Sequence, residues 1–155
     1  MSQPLRTLRQ TVGAPTLIIL LPGAYMKPED FAKSGFFSAV TQRKLALDLV
    51  AVDLDLSCIS DGSALPALQS EIIEPARAQG YQKIWLGGIS LGGLLALCHN
   101  ADTPNQVDGL CLLAPYPGSR LTTNAIARAG GMKRWQATSE ELGDPEFRAW
   151  QWLQN

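Results

Sequence analysis

Four short apolar runs recur along this chain, and they constrain its fold more than any other feature. They span residues 16–21, 45–52, 83–86 and 107–113. Each run has about the length of a β-strand, and each is almost continuously apolar rather than alternating. Continuous apolar strands are typical of a parallel sheet with helices over both faces.

Helical patterns lie between these runs. Residues 28–44 open with a proline and two acidic residues, which suit the first turn of a helix. Residues 65–79 place apolar side chains three and four positions apart and stop at Gly80, with a kink predicted at Pro75. A third helix is predicted to start directly after Ser90. The alternation predicts right-handed βαβ units in an open, mainly parallel α/β sheet of about four strands, with helices on both faces.

The length of the chain predicts the number of domains, and its last part predicts one more helix. A chain of 155 residues predicts one domain over residues 1–155. After residue 113 the strand pattern stops. Asp144 followed by Pro145 predicts the N-cap and first position of a last short helix.

Charge and residue usage exclude several classes of partner. The chain has 13 basic and 14 acidic residues, and the basic residues form no dense run. This argues against binding to nucleic acid or to anionic membranes. No apolar stretch approaches the ~20 residues that span a bilayer.

His99, the single histidine, and the three cysteines (Cys58, Cys98 and Cys111) lack metal-type spacing, so neither a metal nor a cofactor is predicted. The cysteines are interpreted as reduced core thiols, and the protein is predicted to be cytoplasmic with a small-molecule substrate.

The segment Gly88-Ile89-Ser90-Leu91-Gly92 has the spacing of a nucleophile elbow, with Ser90 as the candidate nucleophile. A nucleophile elbow is a sharp strand-to-helix turn, and it needs small residues two positions before and two after its serine. A dinucleotide-binding fingerprint is excluded because Ile89 or Ser90 occupies its middle glycine position, and a phosphate loop lacks its lysine. The alternative is a glycine-rich turn whose serine is merely small.

A second loop, Leu21-Pro22-Gly23-Ala24-Tyr25, follows the first run and leads into a helix. With this loop and the Gly88–Gly92 motif, the chain resembles the α/β-hydrolase superfamily of serine esterases and lipases over about residues 16–118. The resemblance implies that Ser90 is the nucleophile. It also implies an oxyanion hole formed by the backbone N–H groups of Leu91 and Ala24.

Aromatic and sulfur-containing side chains are candidates for a substrate pocket. The Tyr25 hydroxyl is a further oxyanion donor, or alternatively Tyr25 is a partly buried wall residue. Met26 and Tyr116 are assigned to the acyl pocket. Three tryptophans are further candidates for the same pocket, or alternatively are residues of the hydrophobic core: Trp135, Trp150 and Trp152.

A general base for Ser90 is missing from the sequence pattern. His99 lies nine residues along the same predicted helix, which is ~13 Å along the axis, whereas a hydrogen bond needs about 3 Å. His99 is therefore predicted to cap carbonyls at the helix end or to face solvent. The aspartates near the strands are interpreted as loop caps: Asp53, Asp55, Asp102 and Asp108.

Truncation of the chain is the simplest expectation from this absence. In the family, later strands bring the acid and the histidine, and this chain ends about where they would begin. Residues 107–113 would then form an exposed apolar edge strand, which predicts self-association.

Three functional hypotheses follow, and whether this chain alone is an enzyme stays open. The first is a serine hydrolase that cleaves carboxylic esters or thioesters through Ser90, with an incomplete triad. The second is a non-catalytic binding or interaction protein on a shortened hydrolase core. The third is a hydrolase whose histidine comes from a partner subunit.

Overall fold

A computed structural model describes residues 3–155. Five strands and eight α-helices occur in this range, joined by one π-helical and one 3₁₀ segment. In chain order they are β1 (Thr7–Gln10), β2 (Thr16–Leu21), α1 (Pro28–Lys33), α2 (Phe36–Gln42), β3 (Asp48–Val52), α3 (Leu56–Ser60), α4 (Ala64–Ala67), the π-helix Leu68–Ile73, α5 (Glu74–Ala78), β4 (Lys83–Ile89), α6 (Leu91–Asp102), β5 (Gly109–Leu113), α7 (Arg120–Arg128), the 3₁₀ turn Glu141–Gly143 and α8 (Pro145–Gln154).

The strands form one sheet in the order β1-β3-β2-β4-β5. The contacts β3-β2, β2-β4 and β4-β5 are parallel, and β1 pairs with β3 in the antiparallel sense. The open, mainly parallel sheet is therefore confirmed, and all four predicted strands are present. The antiparallel strand β1 is an addition that the apolar runs did not predict.

Helices cover both faces of the sheet, as the apolar strands require. On one face, the odd-numbered residues of β2 pack against α4, α5 and α6. On the other face, Leu20 and Leu49 pack against Phe31 of α1 and Val40 of α2. The interior strand β3 is buried from both sides and contains no exposed residue, whereas β4 and β5 expose residues such as Trp85, Cys111 and Leu113.

Two helical predictions change in detail, and a third is confirmed. Residues 28–44 form two helices, because the chain turns at Gly35 with φ 89°. Pro75 does not simply kink one helix. The backbone widens into the π-helix Leu68–Ile73, and Pro75 then occupies the first turn of α5, where its missing N–H is tolerated. The last helix is confirmed, with the Asp144 carboxylate accepting a hydrogen bond from the N–H of Glu146 at 2.8 Å.

Strand register places three loops at one edge of the sheet. Leu21 at the end of β2 is level with Gly88 in β4, and Ile89 at the end of β4 is level with Leu113 in β5. The loops that follow β2, β4 and β5 therefore meet at the carboxyl ends of the strands. In open α/β sheets this edge is where ligands usually bind.

Candidate active site

Ser90 sits between the end of β4 and the first residue of α6, in a strained backbone conformation. Its φ is 51° and its ψ is −112°, a region that L-residues rarely adopt, and its side chain is exposed. The surrounding backbone fixes this turn. The N–H of Ser90 donates to the Leu113 carbonyl at 3.0 Å, and the Ser90 carbonyl accepts from the N–H groups of Gly93 at 3.0 Å and Tyr116 at 2.8 Å.

The glycines on either side of Ser90 are sterically required. A Cβ on Gly88 would lie 2.3 Å from the carbonyl oxygen of Gly92. A Cβ on Gly92 would lie 2.2 Å from the carbonyl oxygen of Leu21. Both neighbours are backbone atoms, which cannot move aside as a side chain can. The structure therefore has the turn sterics that the spacing of these glycines predicted.

Gly93 was missed by the sequence argument. A Cβ there would lie 2.8 Å from the Pro115 side chain, in the loop after β5. The small residue lets that loop close over the start of α6. The second glycine of the Gly92-Gly93 pair was the available signal.

The loop after β2 lies directly beside this turn. Besides the close approach of Leu21 to Gly92, a Cβ on Gly23 would lie 3.5 Å from the carbonyl oxygen of Ile89. The loop closes with a hydrogen bond from the N–H of Met26 to the carbonyl of Gly23 at 3.1 Å. The two segments that the sequence singled out are thus neighbours.

Tyr25 and Ala24 are exposed at the tip of this loop. Tyr25 has φ 65° and is 85% exposed. Its interpretation as a partly buried wall residue is therefore wrong, because most of the side chain is open to solvent. Ala24 beside it is also exposed.

Leu91 is the first residue of α6. The first N–H groups of a helix lack partners within the helix and carry its positive partial charge. The backbone N–H of Leu91 belongs to this set, and it immediately follows the Ser90 side chain in the chain.

The residues assigned to the acyl pocket are divided between two places. Met26 packs toward α1, and its Sδ lies 3.2 Å from the N–H of Gly23. Tyr116 lines a separate apolar pocket of about 170 Å³ with Trp150 on α8. Trp135 is buried and stacks on Phe147, so it is a core residue. Trp152 contributes to another depression, at the opposite end of β5.

His99 is a buried residue, not a helix cap or a solvent-facing one. It is 1% exposed, its Nε2 lies 2.9 Å from Oε1 of Gln69, and its Nδ1 has no hydrogen-bond partner within residues 3–155. The prediction failed because the helix of residues 64–78 covers that face of α6. Burial lowers the pKa of His99, and the nearby Asp102 opposes that shift.

The aspartates are engaged elsewhere, and one of the four predicted loop caps is found. Asp55 caps α3, accepting from the N–H of Cys58 at 2.9 Å. The other three form ion pairs: Asp53 with Arg6 and Lys27, Asp102 with Arg148, and Asp108 with Arg77. Asp108 also accepts a hydrogen bond from the backbone N–H of Ile84 at 2.8 Å. Across residues 3–155, no histidine or carboxylate hydrogen-bonds the Ser90 hydroxyl.

The three thiols are free, but they are not all in the core. Cys98 is buried, Cys58 is half-buried, and Cys111 is exposed on β5. Burial raises the pKa of Cys98 to about 12. No group of three metal-ligating side chains occurs within the described part of the chain, and none of its helices is long and apolar enough to cross a bilayer.

No family model matches the sequence, and no curated protein gives a significant match. Among solved structures, a monoacylglycerol lipase of Paleococcus ferrophilus is similar with a TM-score of 0.57 and 17% identity, covering 83% of this chain and 50% of the lipase. A predicted CIB-like hydrolase from Thermoplasma acidophilum gives a TM-score of 0.55 and 21% identity, covering 86% of this chain and 66% of that one.

A third structure, the S-formylglutathione hydrolase FrmB of Staphylococcus aureus, gives a TM-score of 0.57 and 12% identity, covering 90% of this chain and 56% of that hydrolase. At these identities the likeness establishes the fold. The chain has the α/β-hydrolase fold, as its motifs predicted, and it spans about half to two thirds of the length of these structures.

Proposed function

We propose that this chain carries the nucleophile and the oxyanion hole of a serine hydrolase that cleaves carboxylic esters or thioesters. The observation that carries the proposal is the Ser90 turn. An exposed serine is held at φ 51° by a backbone that tolerates no Cβ at Gly88 or Gly92. This conformation projects a hydroxyl from the sheet edge where ligands bind in such folds.

Ser90 Oγ attacks the acyl carbon, a C–O bond forms, and the carbonyl oxygen takes the negative charge. The N–H groups of Leu91 and Ala24 donate to that oxygen, and the Tyr25 hydroxyl is the proposed third donor. Collapse of this intermediate expels the alcohol or thiol and leaves an acyl-serine, which water then hydrolyses. Loss of one oxyanion donor typically costs about 3 kcal/mol of transition-state stabilisation. Met26 and Tyr116 flank the turn on its two sides as substrate contacts.

The proton of Ser90 needs a base from outside residues 3–155. A serine hydroxyl is a weak nucleophile until a base removes its proton. His99 is buried against Gln69, and Asp53, Asp102 and Asp108 are held in ion pairs. We therefore propose that the base comes from outside these residues, either from another segment of the protein or from a partner subunit.

Chemical rescue tests this function on the chain as it is. Imidazole in solution can act as the missing base, so it should accelerate labelling of Ser90 by a fluorophosphonate and release of p-nitrophenol from p-nitrophenyl butyrate. The rate above that of imidazole alone should vanish in Ser90→Ala. It should persist in Ser38→Ala, which removes another exposed hydroxyl, on α2.

A non-catalytic binding protein is the second candidate, and the absence of a base near Ser90 within residues 3–155 favours it. The same experiment separates the two. If mass spectrometry finds no Ser90 adduct with or without imidazole, nucleophilic chemistry is refuted and the binding role stands.

A further inference from the structure

A groove of about 490 Å³ runs beside α6, and none of the assigned site residues except Leu91 belongs to it. It lies between α6, the segment from α3 to α4, and the start of α8. Its lining is Ile59, Gly62, Ala64, Leu65, Pro66, Leu91, Leu94, Leu95, Cys98, Asp102, Asp144, Pro145, Glu146 and Arg148. The residues of α6 that line it are apolar from the start of the helix to Cys98, and the charged pair Asp102–Arg148 lies at the other end of that helix.

One stripe of α6 forms the floor of the groove. Leu91, Leu94, Leu95 and Cys98 recur at helical spacing and therefore share a side of the helix. A helical side chain leans toward the N-terminus of its own helix, so the Leu91 side chain lies at the level of the Ser90 turn. The groove thus begins beside the proposed nucleophile.

The far end is closed to apolar groups by an ion pair. Arg148 Nε lies 2.7 Å from Oδ1 of Asp102, and Arg148 Nη1 donates to the Leu142 carbonyl at 3.0 Å. Both charges are already satisfied by protein partners, so neither is free to bind a ligand headgroup. An apolar chain that reached them would desolvate polar groups without replacing their contacts.

We infer that this groove binds the acyl chain of the substrate and selects medium-length chains of about eight carbons; this inference rests on the proposed function. From Leu91 to Cys98 the apolar floor spans eight residues, which are seven steps of the helix, or roughly 10 Å at the rise of an α-helix. An extended chain advances roughly 1.2 Å per bond. About eight carbons therefore fill the apolar part, and longer chains meet the Asp102–Arg148 pair.

A rival place for the chain is the smaller pocket of about 170 Å³ beside Tyr116 and Trp150. α8 lies between the two cavities, with Arg148 lining one and Ala149 the other. The smaller pocket suits a short acyl or alcohol group. Chain length and position of binding therefore discriminate between the two sites.

The first measurement is a chain-length profile with imidazole present. In p-nitrophenyl esters from acetyl to dodecanoyl, kcat/KM should rise roughly fourfold per methylene up to about eight carbons, the value expected for complete burial of each group. Beyond that length it should level off. A profile that is flat or that falls from acetyl onward would overturn the inference while leaving the proposed function intact.

The second measurement is independent of catalysis. In Ser90→Ala, calorimetry should show binding of octanoate and weaker binding of butyrate, and Leu65→Trp, which fills the groove, should reduce octanoate affinity at least tenfold. Leu121→Trp is the matched control, because Leu121 is 72% exposed on α7. Octanoate binding unaffected by Leu65→Trp would refute the groove as its site.

A photocrosslinking arm needs no groove variant, in case Leu65→Trp fails to fold. Octanoate with a diazirine at its terminal carbon should label the peptides of residues 59–66 or 145–148 in Ser90→Ala. Labelling concentrated at Tyr116 or Trp150 would assign the chain to the smaller pocket and overturn the inference. If the groove is labelled but rescue of Ser90 fails, the proposed function is refuted while the chain-binding site remains.

Discussion

Replacing Ser90 by glycine should stabilise the protein relative to replacing it by alanine. Alanine keeps the Cβ that makes φ 51° unfavourable, whereas glycine removes it. A residue held in such a region costs about 1–3 kcal/mol. Glycine also gains about 0.5–1 kcal/mol of extra freedom in the unfolded chain, which offsets part of the relief. Ser90→Gly should therefore unfold with a free energy about 0–2.5 kcal/mol higher than Ser90→Ala.

The control is the same pair at Ser38, in the regular helix α2. There glycine should be less stable than alanine by about 0.5–1 kcal/mol, since no strain is relieved. Urea unfolding followed by circular dichroism measures all four variants, with equal m-values required for the comparison. A Ser90 pair that behaves like the Ser38 pair would refute the claim that the turn is strained.

Three further perturbations test other parts of the structure. Gly92→Ala should lower the free energy of unfolding by about 1–3 kcal/mol, because the new Cβ would overlap the backbone of Leu21. Gly143→Ala is the control and should leave the free energy of unfolding unchanged, because a Cβ at Gly143 meets open space. Equal urea midpoints for the two variants would contradict the steric argument. Burial makes the pKa of His99 lower in the folded state than in the unfolded state, so the unfolded chain binds the extra proton. The stability contributed by neutral His99 therefore declines as pH falls through 6.5 and below. His99→Gln should remove that part of the pH dependence, and identical pH profiles of stability for the two proteins would refute this account. Pairing through the edge strand β5 should make the protein form concentration-dependent dimers, which light scattering detects. Leu113→Lys, at a position that is 45% exposed, should abolish these dimers. A monomer at all concentrations would refute self-association.

The parts of the fold that sequence could predict are those with a local cause. A strand buried on both faces has to be apolar along its whole length, so β2 and β3, which have no exposed residue, each left a continuous run. β4 and β5 also left apolar runs, although part of each is exposed. The turn around Ser90 is equally local. Its steric demands fall on Gly88 and Gly92, within two positions of the serine, and could be read from spacing alone.

The parts that escaped prediction depend on contacts between residues distant in the chain. β1 has one strongly apolar residue, Leu8, and becomes a strand through its ladder to β3. The start of α7 is held by Glu146, whose carboxylate accepts from the Ser119 N–H at 2.9 Å across 27 residues. The burial of His99 likewise depends on Gln69, 30 residues earlier. No window of sequence around these residues contains the partner that decides them.

The residue at position 90 bears on function in a way that its glycine neighbours do not. Gly88 and Gly92 are explained by packing alone, since any Cβ there would overlap backbone atoms. A purely structural turn with φ 51° would favour glycine at position 90 as well, because glycine adopts positive φ without steric cost. A serine stands there instead, exposed, and its hydroxyl makes no hydrogen bond within residues 3–155 that would compensate for the strain. Strain retained where glycine would relieve it is the pattern expected of a functional side chain, and this supports the assignment of Ser90 as nucleophile over a turn whose serine is merely small.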